Sequence, residues 1–216
     1  MELMQPPHLP TPTWSRRACL KAAAAWSMTG VAFSAHAGAQ LEEPLIDSVR
    51  TALSAAVSDL APPEPIFSST EARIEYLRWL THCSHQLRRR MPSLDDRRDL
   101  LQTIWYEAKR AGLEVSLVLG LIQVESGFRK FAVSSAGARG YMQIMPFWTR
   151  VIGDGDPGKL FHMQTNLRFG CVILRHYIER ERGDLFMALG RYNGSRGKDT
   201  YPNLVFGAQR QWSMES

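Results

Sequence analysis

The stretch that most constrains the fold runs from Val115 to Ser126, Val-Ser-Leu-Val-Leu-Gly-Leu-Ile-Gln-Val-Glu-Ser, where apolar residues recur at helical rather than strand spacing. At about 3.6 residues per turn, Ile122, Leu121, Val118 and Leu117 fall on one helical stripe with Glu125. The glutamate therefore continues an apolar face. Withdrawing a carboxylate from water favours its neutral form, and the negative end of the helix dipole acts in the same sense, so the expected pKa shift is upward. An acid held that way can donate a proton near neutral pH. Periodicity alone equally allows a glutamate that bends out to solvent at a frayed helix end.

Around this helix the chain reads as further helices. Leu45, Ile46, Val49, Leu53, Val57 and Leu60 have helical spacing, and Ala61-Pro62-Pro63-Glu64-Pro65 ends that run as a stiff linker. Ser69 or Thr70 can cap a second helix that Met91-Pro92 stops, with Arg88-Arg89-Arg90 in its last turn offsetting the dipole. Ser93 opens a third, whose stripe of Leu100, Leu101, Ile104, Trp105 and Ala108 lasts until Gly112. Beyond Pro146 the pattern predicts helices over 147–151, from an Asn166 cap to about Arg182, over 185–192, and from Tyr201 to Trp212. Asp154 and Asp156 lack the third spaced acid and distant glutamate of a calcium loop and read as turn chemistry, so no metal site is expected. Alternating strand patterns are scarce, which makes the fold class mainly α.

Residues 1–37 look like an export signal. Ser15-Arg16-Arg17-Ala18-Cys19-Leu20-Lys21 precedes an Ala-rich, weakly apolar run, and Ala35-His36-Ala37 is a small-x-small cleavage site, with a second cut available after Ala39. The paired arginines resemble a twin-arginine signal; a Sec signal that contains two arginines is the other reading. Either route leads to the periplasm or outside the cell. Removing three basic and one acidic residue with this segment leaves 23 basic against 20 acidic residues, too mild an excess to argue for nucleic acid as a partner. Cys83 and Cys171 would then meet an oxidising compartment, where a disulfide and two separate core thiols are both open.

Gly137 and Gly140 let backbone approach a ligand closely, Gln143 offers both a donor and an acceptor, and Met142 and Met145 supply adaptable apolar surface. Taken together, Glu125-Ser126-Gly127-Phe128, then Gly137 through Tyr141-Met142-Gln143-Ile144-Met145-Pro146, then Ala188-Leu189-Gly190-Arg191-Tyr192-Asn193-Gly194 resemble the catalytic domain of soluble lytic transglycosylases. The resemblance covers about Asp95 to Trp212. It implies a lysozyme-like helical catalytic domain over 93–212, preceded by an N-terminal helical extension over 41–92 of open role.

It also implies peptidoglycan glycan strands as substrate, cleaved between N-acetylmuramic acid and N-acetylglucosamine without a cofactor. Glu125 would be the single acid and base, and Tyr192 the hydroxyl that orients it. Ser134, Gln143, Met145 and Asn193 would contact sugars, while Ser126, Phe128, Gly137, Gly140 and Pro146 hold the frame. Tyr141 stands where leucine is usual, and Gly194-Ser195 where Ala-Gly is commoner. The implied product is a 1,6-anhydromuramoyl end. Two alternatives stay open: a hydrolytic muramidase pairing Glu125 with Asp154, Asp156 or Glu114, and a non-catalytic wall-binding component of a transenvelope secretion or conjugation machine. A monomer is the expected state.

Overall fold

The computed structural model describes residues 40–42, 44–45, 47–58 and 65–214, all within the compact unit that spans 35–216. The export signal, Leu60 and most of the proline linker lie outside the described residues. The chain forms eight α-helices there: α1 (Asp47–Ser58), α2 (Thr70–Leu87), α3 (Leu94–Arg110), α4 (Val115–Glu125), α5 (Phe147–Ile152), α6 (Met163–Arg180), α7 (Leu185–Asn193) and α8 (Thr200–Trp212). A 3₁₀ turn at Pro157–Phe161 precedes α6. No strand forms among the described residues; the nearest approach is a pair of antiparallel bridges, Val133 with Arg139 and Arg139 with Ile144. The class is therefore mainly α, as the periodicity predicts. No described helix is long and apolar enough to cross a membrane.

Local chemistry sets several helix starts. The side chains of Ser69, Ser93 and Asp184 each accept a hydrogen bond from a backbone N–H three residues on, satisfying a donor that the helix leaves free. Two expectations change. Helix α2 ends at Leu87, so Arg88, Arg89 and Arg90 form the turn beyond it rather than its last turn. Helix α6 begins at Met163, which places Asn166 inside it instead of at its cap.

Helix α4 is the axis of the core. Leu117, Val118, Leu119, Leu121 and Ile122 are all buried, so the helix is enclosed nearly all round and not only along the predicted stripe. Its most extensive partner is α8. Gly120 makes that possible: a Cβ there would lie 2.7 Å from the backbone nitrogen of Gln209, closer than packed atoms tolerate. The Trp212 indole then donates to Gln123 Oε1 at 3.0 Å, locking the far end of α8 to α4.

Helix α3 is tied to α6 by a buried ion pair between Glu107 and Arg168, with Nη2 to Oε1 at 2.8 Å. Such a pair costs desolvation and works as a register pin more than as net stability. Helix α1 packs on α5 and α6. Cys83 and Cys171 are free and buried, and burial pushes the Cys83 thiol up to about 12.

Candidate active site

Glu125 is the last residue of α4 and is 5% exposed. Its Oε1 accepts a hydrogen bond from the Tyr201 hydroxyl at 2.5 Å, and its Oε2 is buried without a partner. Burial raises its pKa to about 8, with the Tyr201 hydrogen bond pulling the other way. The acid is therefore mostly protonated at neutral pH, with one oxygen uncommitted. The frayed-end alternative is not what the fold adopts.

The hydroxyl on Glu125 belongs to Tyr201, not to Tyr192. Tyr192 is fully buried on α7 and donates its hydroxyl to the Met142 carbonyl at 2.8 Å. Burial, and then the charge of Glu125, push its phenol well above its ordinary range, while the adjacent Gln40 carboxamide acts in the opposite sense. Tyr201 stands in the first turn of α8, and its phenol is raised by the same causes, burial and the Glu125 charge. Both tyrosines stay protonated and serve as donors. Tyr201 escaped the sequence reading, although Tyr201, Val205, Ala208 and Trp212 recur at four, three and four residues and mark one inward face. Its position against Glu125 follows from the close α4–α8 approach, which spacing cannot reveal.

Between α4 and α5 the chain makes a bent loop, exposed over much of its first half and buried from Gly140 to Ile144. Gln143 sits at φ 49°, a left-handed conformation that a non-glycine side chain rarely adopts and that the surroundings must enforce. Its Nε2 donates to the carbonyls of Gly140 at 2.9 Å and Ala132 at 3.1 Å, so the amide donors brace the loop. Ser134 Oγ accepts from the Ala138 N–H at 3.1 Å. Asn166 does more than a cap would: its Oδ1 accepts from the Met142 N–H, and its Nδ2 donates to the carbonyls of Arg139 and Leu160, each at 2.8 Å. Gly140, at φ 78°, is needed beside it, because a Cβ there would stand 2.3 Å from Asn166 Nδ2.

Thus one side chain of α6 fixes Met142, whose carbonyl receives Tyr192. Asn193 is 7% exposed; its Nδ2 donates to Ser195 Oγ at 3.1 Å and its Oδ1 is buried without a partner. Met145 is half-buried, and its N–H donates to Gln40 Oε1 at 3.4 Å. Gln40, from the chain ahead of α1, is a second residue that the sequence reading did not single out.

The proposed second carboxylates stand elsewhere. Glu114 is exposed and precedes the first turn of α4, eleven residues before Glu125, which amounts to about 16 Å along the axis. Asp154 pairs with Lys159 in an exposed loop, its carboxyl also accepts from the Asp156 N–H, and Asp156 accepts from the Gly158 N–H. These are the turn contacts expected of them. Among the described residues, no three His, Cys, Asp or Glu side chains stand together as a metal cluster would require.

Helices thus enclose a carboxylic acid that carries no ion pair among the described residues, is raised to about 8 and is held through one oxygen by Tyr201. The family model described as "Transglycosylase SLT domain" matches residues 102–212, just over half of the 216-residue chain. The chain belongs to that family, and a lysozyme-like helical domain is consistent with this membership.

Membrane-bound lytic murein transglycosylase C of Actinobacillus pleuropneumoniae serotype 5b is 38% identical over 85 residues, covering 36% of this chain and 23% of that protein. The protein of the same name from Glaesserella parasuis is 45% identical over 75 residues, covering 31% and 21%. The alignments thus span less than a quarter of the length of these relatives. A solved structure of an inactive mutant of the lytic transglycosylase Slt from Pseudomonas aeruginosa is 23% identical, with a TM-score of 0.40 over 65% of this chain and 27% of that one.

Proposed function

We propose that the protein is a peptidoglycan lytic transglycosylase in which Glu125 serves as acid and then as base. The observation that carries this reading is the state of Glu125: buried, raised to about 8, hydrogen-bonded through one oxygen and uncommitted at the other. In the first step Glu125 gives its proton to the glycosidic oxygen, the bond to the muramic C1 breaks, and the leaving sugar departs as an alcohol. The substrate's acetamido group supports the cationic C1. In the second step the carboxylate takes the proton of the C6 hydroxyl, whose oxygen bonds to C1 and closes the 1,6-anhydro ring. No water enters, and the acid returns to its starting state.

A standard glycosidase needs a second carboxylate across the bond, and Glu114, Asp154 and Asp156 are too far or too exposed for that part. This favours the lyase over the hydrolytic muramidase. Tyr201 orients Glu125, and Tyr192 with Asn166 holds the Met142–Gln143 loop. Ser134, Met145 and Asn193 are left to meet the sugars, with Gln143 contributing mainly through the loop it braces. Residues 93–212 form the catalytic domain and 41–92 the extension, whose described helices α1 and α2 pack on it. The export signal delivers the enzyme to the periplasmic wall; a link to a transenvelope machine draws no support from the site.

Purified sacculi incubated with wild-type and Glu125→Gln protein test the reading, with muropeptides weighed by mass spectrometry. The wild type yields anhydro ends and the variant none. Reducing ends, one water heavier, would convert the assignment to a hydrolase.

A further inference from the structure

Gln40 lies well ahead of the family-matched residues, yet its side chain is 4% exposed and reaches the candidate site. The adjacent Leu41 is 64% exposed. At Gln40 and Leu41 burial runs against the hydrophobic effect, which sorts residues the other way, and the apolar anchor comes only further along, where Leu45 packs on the core. Polar contacts hold Gln40 itself. The Gln40 Oε1 accepts from the Met145 N–H at 3.4 Å, and the carboxamide sits beside the Tyr192 hydroxyl, close enough to affect its acidity without a well-formed hydrogen bond. Next along the chain, Glu42 pairs with Arg150 of α5 at 3.7 Å, both side chains being exposed. An exposed pair of that kind is weak and readily released.

We propose that Gln40 is an intramolecular occupant of the glycan site, its carboxamide taking the place of a substrate acetamido group until a glycan strand displaces it. The inference rests on the reading of Glu125 as the glycan-cleaving acid. A glutamine carboxamide and an acetamido group share a planar carbonyl beside an N–H, so the Met145 N–H can serve either in turn. The occupant is an imperfect one. Gln40 Nε2, Glu125 Oε2 and Asn193 Oδ1 are all buried without a hydrogen-bond partner. Unmet buried polar groups make exchange for a better-matched ligand favourable. Glu125 and Tyr192 are almost wholly enclosed, so a polymer reaches the acid only after part of the site opens, and Gln40, beside Tyr192, is the group assigned to that exchange.

The full chain is compared as wild type, Gln40→Ala and Glu125→Gln, measuring muropeptide release from sacculi across a range of substrate concentration. A self-occupied site reduces apparent affinity by the fraction that is open, so Gln40→Ala lowers KM about fivefold with little change in kcat. Hydrogen exchange at the Leu41 and Glu42 amides is then followed in the Glu125→Gln protein with a tetramer of N-acetylglucosamine. Exchange there speeds up on saccharide binding if Gln40 is expelled. An unchanged or raised KM in Gln40→Ala, or amides that slow with saccharide, overturns the proposal and makes Gln40 a bystander or a sugar ligand. If Glu125→Gln releases product as fast as wild type, the reading of the acid itself fails, whatever Gln40 does.

Discussion

Replacing Glu125 by glutamine should stabilise the protein, and by an amount that depends on pH in a defined way. In the fold the carboxyl titrates at about 8, against an ordinary 4.5. Well below 4.5 it is protonated both folded and unfolded, and no difference arises. As pH climbs towards 8, the unfolded chain ionises while the folded one keeps its proton, so wild-type stability is progressively lost; above 8 both forms ionise and the loss levels off. At about 1.4 kcal/mol per pKa unit, the loss amounts to about 3 kcal/mol at pH 7 and about 5 kcal/mol at the plateau.

Glutamine titrates in neither state and can still accept from the Tyr201 hydroxyl. The stability difference between variant and wild type should therefore widen by about 3 kcal/mol between pH 4 and 7, equivalent to about 6–12 °C in Tm for a chain of this size. Thermal melts of both proteins at half-unit pH steps measure it. Other titrating groups are common to the two chains and cancel. A Tm difference that stays flat across that range would refute the claim that Glu125 is buried as a neutral acid.

Tyr201→Phe removes a donor that favours the carboxylate, so the Glu125 pKa rises further; the alkaline limb of the pH–rate profile should move up by about one pH unit while the rate at neutral pH falls. A limb that stays put counts against the hydrogen bond. Gly120→Ala sets a methyl carbon 2.7 Å from the Gln209 backbone, which cannot yield without shifting α8. A destabilisation of about 1–3 kcal/mol is expected in urea melts, together with loss of activity as Tyr201 retreats from Glu125. Asn166→Ala strands the Met142 N–H and takes a bond from the Leu160 carbonyl and from the Arg139 carbonyl, which keeps the Ile144 N–H. It should cost about 3 kcal/mol or more by the same melts.

The parts of this architecture that depend on neighbours in sequence were legible in it. The α4 stripe, the Ser69 and Ser93 caps and the Asp154–Asp156 turn each arise within a few residues, where spacing and side-chain chemistry settle the outcome. The parts that depend on tertiary approach were not. Tyr201 meets Glu125 because Gly120 admits α8, and nothing in the local pattern of either residue encodes that contact. Asn166 shows how a local rule is outweighed: an asparagine near a helix start is a sound cap by propensity, but two bonds to the loop and one to the Leu160 carbonyl outweigh one cap bond. Gln40 was hidden for the opposite reason, since a glutamine beside exposed residues carries no burial signal at all.

Two demands on Glu125 conflict unless the cover over the site is exchangeable. To donate a proton near neutral pH the acid must be kept from water, and its pKa of about 8 comes chiefly from burial. To act on a polymer it must be reachable. A permanently open groove would rehydrate the carboxyl and return it towards its ordinary range, while a permanently closed one would exclude the glycan. Under the proposed exchange both demands are met, because the incoming sugar excludes water as Gln40 withdraws. The pH–rate profile carries the trace of this arrangement. In Gln40→Ala, the alkaline limb for kcat, which reports the acid under bound glycan, should stay where it is in wild type. The limb for kcat/KM, which reports the uncovered free enzyme, should fall to lower pH.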